Sequence, residues 1–301
     1  MSEQEKNAAP QPSGDSTNKS ETPTKKKHRF RKLMIFVLTV LFFWWFNNFT
    51  LRITKYTIVS DKINGEGVRI ALISDQHAAK FGITNETILK KLNRTGPDIV
   101  FMLGDMYSRN SSRELTEIPV ELVSMVAEAG YPVYFVSGEH DTSQDYIQRV
   151  RDAGAHVMDY QSEIINVNGN NLEIFGIDNV YYSDTFDLNT AFTKTPGCFS
   201  ILMAHIPNYD KFSDFAADLT VCGDTHGGII QLPFGKGPAY YSETRQWFPE
   251  INESRSDVYD KGIFPYNNGA MLITSGIGAY PVPARLNNRP EIAVVDIVNS
   301  K

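Results

Sequence analysis

Residues 68–77 read VRIALISDQH: an unbroken apolar run, then Asp75, Gln76 and His77. The same pattern recurs along the chain. DIVFMLGD (98–105) ends in Gly104-Asp105, and VYFVSGEHD (133–141) ends in Gly138-Glu139-His140-Asp141. SILMAH (200–205) ends at His205, and DLTVCGDTHGG (218–228) carries Asp224 and His226. A short apolar run without alternation fits a strand buried on both faces. Helical spacing fills the first intervals. It covers Asn85–Leu92 before the breaker Gly96-Pro97, Thr116–Ala129 ended by Gly130, and Ser143–Ala153. Strand–helix–strand units of this length predict a parallel sheet with right-handed crossovers. Further strands are expected at Ile164–Val167, Leu172–Ile177, Ser200–Ala204, Asp218–Cys222, Gly269–Ser275 and Glu291–Ile297. A second sheet packed on the first accommodates them. The interval Gln231–Asn268, rich in Gly, Pro, Tyr and Phe, reads as loop.

Five strands thus each end in Asp, Glu or His. In an open α/β sheet the carboxyl ends of the strands line one edge, where ligands bind. Asp75 and His77 are two residues apart and point the same way if the strand continues through them. The glycines allow sharp turns and leave room for an ion or a phosphate. Carboxylates and imidazoles gathered this closely are costly unless neutralised, and divalent cations are the usual remedy.

The ordered set D-x-H, G-D, G-E-H-D, H and G-D-x-H resembles the calcineurin-like metallophosphoesterases, over roughly Ile70 to Ile297. AHIP around His205, GDTHGG with QLP, and SGIGAYPVPARLNNRPEI resemble its membrane-associated or exported bacterial phosphodiesterases. The resemblance implies a two-sheet β-sandwich flanked by helices, an α/β/β/α fold. It also implies two divalent metal ions: one held by Asp75, His77 and His226, Asp105 bridging, and a second held by Glu139, His205 and Asp224. A metal-activated hydroxide would attack phosphorus in line. His140 would act beside the leaving group as the acid, with Asp141 either orienting its ring or capping the helix that follows.

Two positions depart from the family pattern, and both fall on the second metal. Glu139 stands where the family has Asn, and Asp224 where it has the first His of the last motif. With Asp75 and Asp105 the set then holds four carboxylates. Oxygen ligands favour Mn, Fe or Mg over Zn at that position. The added negative charge disfavours phosphate dianions, and so favours phosphodiesters over monoesters. Arg285, in the PVPAR segment, is a candidate for a substrate phosphate or for an acidic neighbour. Tyr240, Tyr241, Trp247 and Phe248 are either loop packing or a wall for an apolar or lipid-linked substrate.

The amino-terminal region reads differently. Residues 1–24 carry almost nothing apolar and predict a disordered tail. Residues 1–32 hold eight Lys/Arg against four Asp/Glu, a balance of +4 in a chain of −6, so residues 33–301 stand at −10. Behind the basic run Lys25–Lys32 comes LMIFVLTVLFFWWF (33–46). Its reading is an uncleaved transmembrane anchor over 33–51, with the basic flank in the cytoplasm and a metallophosphoesterase domain over 52–301 outside it. A cleaved signal peptide is the alternative, but no small-x-small site follows. An acidic body is a poor nucleic-acid binder, so no nucleic-acid partner is expected. Two cysteines, Cys198 and Cys222, are too few for a disulfide scaffold.

The reading that emerges is a single-pass, membrane-anchored, metal-dependent phosphodiesterase acting on a lipid or cell-envelope substrate. Two alternatives stay open at this stage. One is a single-metal or non-catalytic envelope protein that keeps the fold for binding, and the other is a monoester phosphatase.

Overall fold

The structure is a computed structural model that describes residues 24–78, 82–179, 183–241, 243–249, 258–278 and 284–300. The chain divides into two compact units, Met1–Phe42 and Phe43–Lys301.

The first helix, α1 (Thr24–Phe49), begins in the basic run, nine residues before the expected apolar start at Leu33. Lys and Arg are good helix formers, so the helix extends through them. The expected tail otherwise lies outside the described residues. The span Lys27–Phe49 is 23 residues long and apolar enough to cross a membrane. From Phe30 to Trp45 its large apolar side chains are all at least 43% exposed.

The first sheet contains β1 (Arg52–Ser60), β2 (Val68–Ile73), β3 (Ile99–Met102), β4 (Val133–Phe135), β5 (Ala155–Val157) and β14 (Glu291–Asn299), in the order β1-β14-β2-β3-β4-β5. From β2 to β5 the strands are parallel, as the crossovers require, and β14 runs antiparallel to β2. The crossovers are α2 (Asn85–Thr95), α3 (Arg113–Glu128) and α4 (Gln144–Asp152). Each starts on a hydroxyl cap: Thr84, Ser112 and Ser143 accept from the amides of Thr87, Leu115 and Tyr146. The cap at Ser112 starts α3 one turn before the expected Thr116.

The second sheet contains β6 (Gln161–Val167), β7 (Asn170–Gly176), β8 (Phe199–Met203), β9 (Leu219–Cys222), β12 (Gly262–Tyr266) and β13 (Gly269–Ile273), in the order β12-β13-β9-β8-β7-β6. Two short helices, α5 (Leu188–Ala191) and α6 (Tyr209–Phe215), flank it. A two-stranded ribbon, β10 (Tyr240–Tyr241) with β11 (Gln246–Trp247), stands apart. β12 and this ribbon fall inside the interval expected to be loop. Pro265 hides β12 in the sequence, and Pro is tolerated there because β12 is an edge strand.

The apolar runs lack alternation because both strand faces are buried. In β2, Ile70 and Leu72 pack between the sheets with Phe101, Ile174, Ile201 and Val221. Ala71 and Ile73 pack the other way, under α2–α4 with Ile88, Leu122 and Val150. On the far side Phe175, Leu202 and Ile273 pack under Phe212 and Phe215 of α6. The layers are α/β/β/α, and the carboxyl ends of β2, β3, β4, β8 and β9 carry the expected site residues.

Candidate metal centre

Five of the seven expected ligands adopt the left-handed backbone region: Asp75 (φ 55°), His77 (54°), Asp105 (52°), Asp224 (66°) and His226 (48°). Non-glycine residues pay on the order of 1 kcal/mol or more each for this, and such strain collects at functional sites. It also corrects one expectation. β2 ends at Ile73, so Asp75 and His77 converge through a turn and not through strand alternation. The turn is pinned to its neighbour. The Asp75 amide donates to Gly104 O (3.0 Å) and the His77 amide to Asp105 O (3.1 Å).

Glycines let these turns close. A Cβ on Gly138 would overlap Asp105 Oδ1 and its amide nitrogen, and one on Gly223 would overlap Ser74 Oγ and approach Asp75 Oδ2 to 2.8 Å. Only a bare backbone fits beside the two carboxylates.

The residues so gathered form three overlapping groups that could hold a cation: Asp75, His77 and His226; Asp75, Asp105 and His205; and His77, Asp105 and His140. His77 Nε2 lies 3.0 Å from His226 Nε2. His226 Nε2 is 3.7 Å from Asp75 Oδ1, and His205 Nε2 is 3.3 Å from Asp105 Oδ2. His205 Nε2 and Asp75 Oδ2 are buried and make no hydrogen bond among the described residues. Buried polar atoms are rarely left so, and donors of these types aimed inward fit a cation. Asp224 sits at the rim, its Oδ1 3.8 Å from His205 Nε2. Glu139 is at the open edge. Its side chain is 50% exposed, with Oε1 3.4 Å from His140 Nε2.

The electrostatics fit the same picture. Burial pushes the Asp75 carboxyl up to about 7 and Asp224 up to about 6. Burial pushes His77 down to about 3 and His226 well below the usual imidazole range, where Arg285 lowers it further. Burial also opposes charge on Asp105, yet His205 and the His140 amide beside it hold its carboxyl at about 2. Neutral His77 and His226 beside an ionised Asp105 are forms that bind divalent metals, whereas burial opposes charge on His205 but Asp105, Asp75 and Asp224 hold it well above the usual imidazole range, so a cation there would displace its proton.

Around this set the structure supplies partners that sequence reasoning missed. Ser108 Oγ lies 3.3 Å from His77 Nδ1. The Arg109 backbone amide donates to His140 Nδ1 at 2.8 Å, which leaves the ring proton on Nε2, toward Asp105 Oδ2 (3.7 Å) and Glu139. Asp141 therefore does not take the orienting role expected of it. Its carboxylate accepts the amides of Met106 (3.2 Å) and Gly138 (3.0 Å), tying the β3 and β4 turns together. Nor does it cap α4, which Ser143 does.

Arg285 also departs from expectation. It is 1% exposed, so its guanidinium is not offered to a substrate phosphate, and no acidic partner within salt-bridge distance is seen among the described residues. It donates instead to backbone carbonyls, Ser275 O at 2.7 Å and Gly278 O at 2.9 Å, and reaches His226 O at 3.4 Å and His226 Nδ1 at 3.3 Å. Asn288 Nδ2 holds His226 O as well, at 2.6 Å. The Arg285 backbone is clasped in turn by Asn48, near the end of α1. Asn48 Oδ1 accepts the Arg285 amide (2.9 Å) and Nδ2 donates to its carbonyl (3.1 Å). Arg289 donates to Thr50 Oγ1 (2.8 Å) and stacks 4.3 Å from the Phe46 ring centre. Cys198 and Cys222 are free and buried.

Comparison with known proteins agrees with the geometry. The sequence model of the family described as calcineurin-like phosphoesterase matches residues 68–227. The uncharacterized metallophosphoesterase YkuE of Bacillus subtilis (strain 168) is 25% identical over 252 residues, 80% of this chain and 83% of that one. Phosphodiesterase YaeI of Escherichia coli (strain K12) is 22% identical over 254 residues, 81% of this chain and 87% of that one. An uncharacterized metallophosphoesterase of Aquifex aeolicus (strain VF5) is 28% identical over 268 residues, 82% and 92%. With every strand-end residue from Asp75 to His226 inside the matched span, the chain belongs to the calcineurin-like phosphoesterase family.

Proposed function

We propose that the chain is a membrane-anchored, metal-dependent phosphodiesterase with its site outside the cytoplasmic membrane. The observation that carries the chemistry is the buried Asp75 Oδ2, without a hydrogen bond among the described residues, inside a ring of metal-ligating side chains. Asp75, His77 and His226 would hold one divalent cation, and Asp105, His205, Asp224 and Glu139 would serve a second, oxygen-rich position suited to Mn, Fe or Mg. Such cations polarise phosphoryl oxygens and acidify water at neutral pH. His140 keeps its proton on Nε2, because Arg109 N–H occupies Nδ1, and so can donate to the leaving oxygen. Four carboxylates around the site oppose a dianionic ester more than a monoanionic one, which favours diesters. A diester carried by a lipid or an envelope polymer suits a catalytic body tied to the membrane by α1, whose apolar span supports the anchor. Manganese-dependent cleavage of bis(p-nitrophenyl) phosphate, faster than p-nitrophenyl phosphate and abolished in Asp105→Asn, is the expected result. A preference for the monoester overturns the diesterase reading.

One observation favours a second reading. Glu139 is half-exposed, and the three groups that could hold a cation include neither it nor Asp224. A single-metal protein that binds without turnover fits that arrangement. It predicts about one manganese per chain at saturation, whereas the two-metal reading predicts about two.

A further inference from the structure

Beside the site runs a backbone ladder that the proposed chemistry does not use. Its first rung is Arg285-Leu286, and Leu286 bridges Ile230 while its carbonyl accepts the Gln231 amide (2.9 Å). The Ala239 amide donates to Ile230 O (2.8 Å), and the Phe248 amide to Ala239 O (2.9 Å). At the outer rung Tyr240 pairs with Trp247. The ladder touches the metal centre through the Ile229 amide, which donates to His226 O (3.2 Å).

Aromatic side chains project from it with no burial to account for them. Phe234 is 96% exposed, Trp247 68% and Phe248 62%. Phe234 (φ 64°) and Phe248 (φ 51°) also hold the left-handed backbone region, which glycine or asparagine would occupy at lower cost. Among the described residues the chain thus bears strain and exposed apolar surface together, with no burial that offsets either. Exposed residues of this kind mark a surface that something else covers. Two exposed cations flank them in sequence, Lys236 beside Phe234 and Arg245 beside Trp247. Glu243, also exposed, lies between them in sequence and accepts from Tyr241 Oη, and with Lys236 and Arg245 the described stretch stays net basic, which suits the headgroup level of an anionic bilayer.

Continuity with α1 identifies the occupant. The first rung is the one Asn48 clasps, four residues after Trp44. Three strand spacings, about 15 Å, separate that clasp from the outer rung. Resting on the membrane-anchored reading above, we propose that Phe234, Trp247 and Phe248 seat in the headgroup boundary of the membrane that α1 crosses. The ladder then holds the catalytic edge against the lipid surface.

Tryptophan occurs only at 44, 45 and 247, so two full-length variants separate the questions. In vesicles of phosphatidylcholine and phosphatidylglycerol carrying bromine high on the acyl chain, Trp44→Phe/Trp45→Phe should lose Trp247 emission by about twofold or more, and less with bromine placed deep. Adding Phe234→Glu should relieve at least about half of that quenching, because the charge opposes insertion. Trp247→Phe reports the anchor through Trp44 and Trp45. If those two are quenched and Trp247 is not, the anchor stands and this proposal falls. If none is quenched, the anchored reading falls and takes the proposal with it. Shielding of Trp247 from iodide that grows with protein concentration and ignores lipid points to a second copy of the chain, and also overturns it.

Discussion

Replacing Gly138 by alanine tests whether the site depends on the close approach of two strand-end turns. Gly138 does not hold a left-handed φ, so the substitution adds a methyl group without backbone strain. That methyl would lie 2.9 Å from Asp105 Cγ, and nearer still to Oδ1 and the amide nitrogen, about an ångström inside the 3.4 Å of ordinary contact. Asp105 has nowhere simple to go. Its carbonyl accepts the His77 amide (3.1 Å), and its Oδ1 accepts the His140 amide (2.8 Å). Relief must shift the carboxylate or the turn by about the same ångström, and a misplacement of that size costs on the order of 100-fold in rate. The overpacking itself costs about 1–3 kcal/mol of stability. The assay is kcat on bis(p-nitrophenyl) phosphate across a manganese titration, with thermal melting to show that the variant is folded. A folded Gly138→Ala protein with kcat within about threefold of the parent would refute the argument, because the turns would then have slack that the geometry denies.

Arg285→Met, which keeps much of the volume and removes the donors, should weaken manganese binding by about 10- to 100-fold. It frees the His226 loop and leaves buried carbonyls unpaired. Isothermal titration reads this directly, and unchanged affinity would show that Asn288 alone holds His226. His140→Gln should slow a diester with a poor, alkyl leaving group far more than a nitrophenyl one, since only the poor leaving group needs a proton. Equal losses on both would assign His140 to metal binding. Chelation with EDTA should lower the melting temperature, increasingly so from pH 5 to pH 8. Asp75 and Asp224 have raised folded-state pKa values, about 7 and about 6, against about 4 when unfolded. Their contribution is complete below pH 4 and is lost as pH rises through 6–7 in the stripped protein. An EDTA-induced shift independent of pH over this range would contradict it; the shift is the readout because His77 and His226, held low by burial, give the melting temperature itself an opposite trend.

What could be read in the sequence, and what could not, follows from the range of the interactions. Doubly buried strands write themselves as apolar runs, so β2, β3, β4, β8 and β9 were legible, and so were the residues that follow them. Helix ends with local caps were legible as well: Ser143–Ala153 brackets α4 to the residue. The partner of a buried group was not legible. Asp141 reads as a partner of the adjacent His140 or a cap of the next helix, but turn geometry sends its carboxylate to two amides, one of them across at Met106. Arg285 looks like a phosphate ligand because arginine so often is one. Only the fold shows the carbonyls of Ser275 and Gly278 converging on it. Asn48 falls inside the expected anchor 33–51, and nothing near it in sequence hints at a partner 237 residues away. β12 stayed hidden because Pro265 reads as a breaker until the strand is known to be an edge.

The clasp between Asn48 and Arg285 also links residues far apart in sequence to the candidate metal centre. Only Thr50 and Leu51 separate the end of α1 from β1, and both lie beside the Arg289 guanidinium. Arg285 touches His226 as well, so a substitution at Asn48, far before that histidine in sequence, reaches a candidate metal ligand through one intervening side chain.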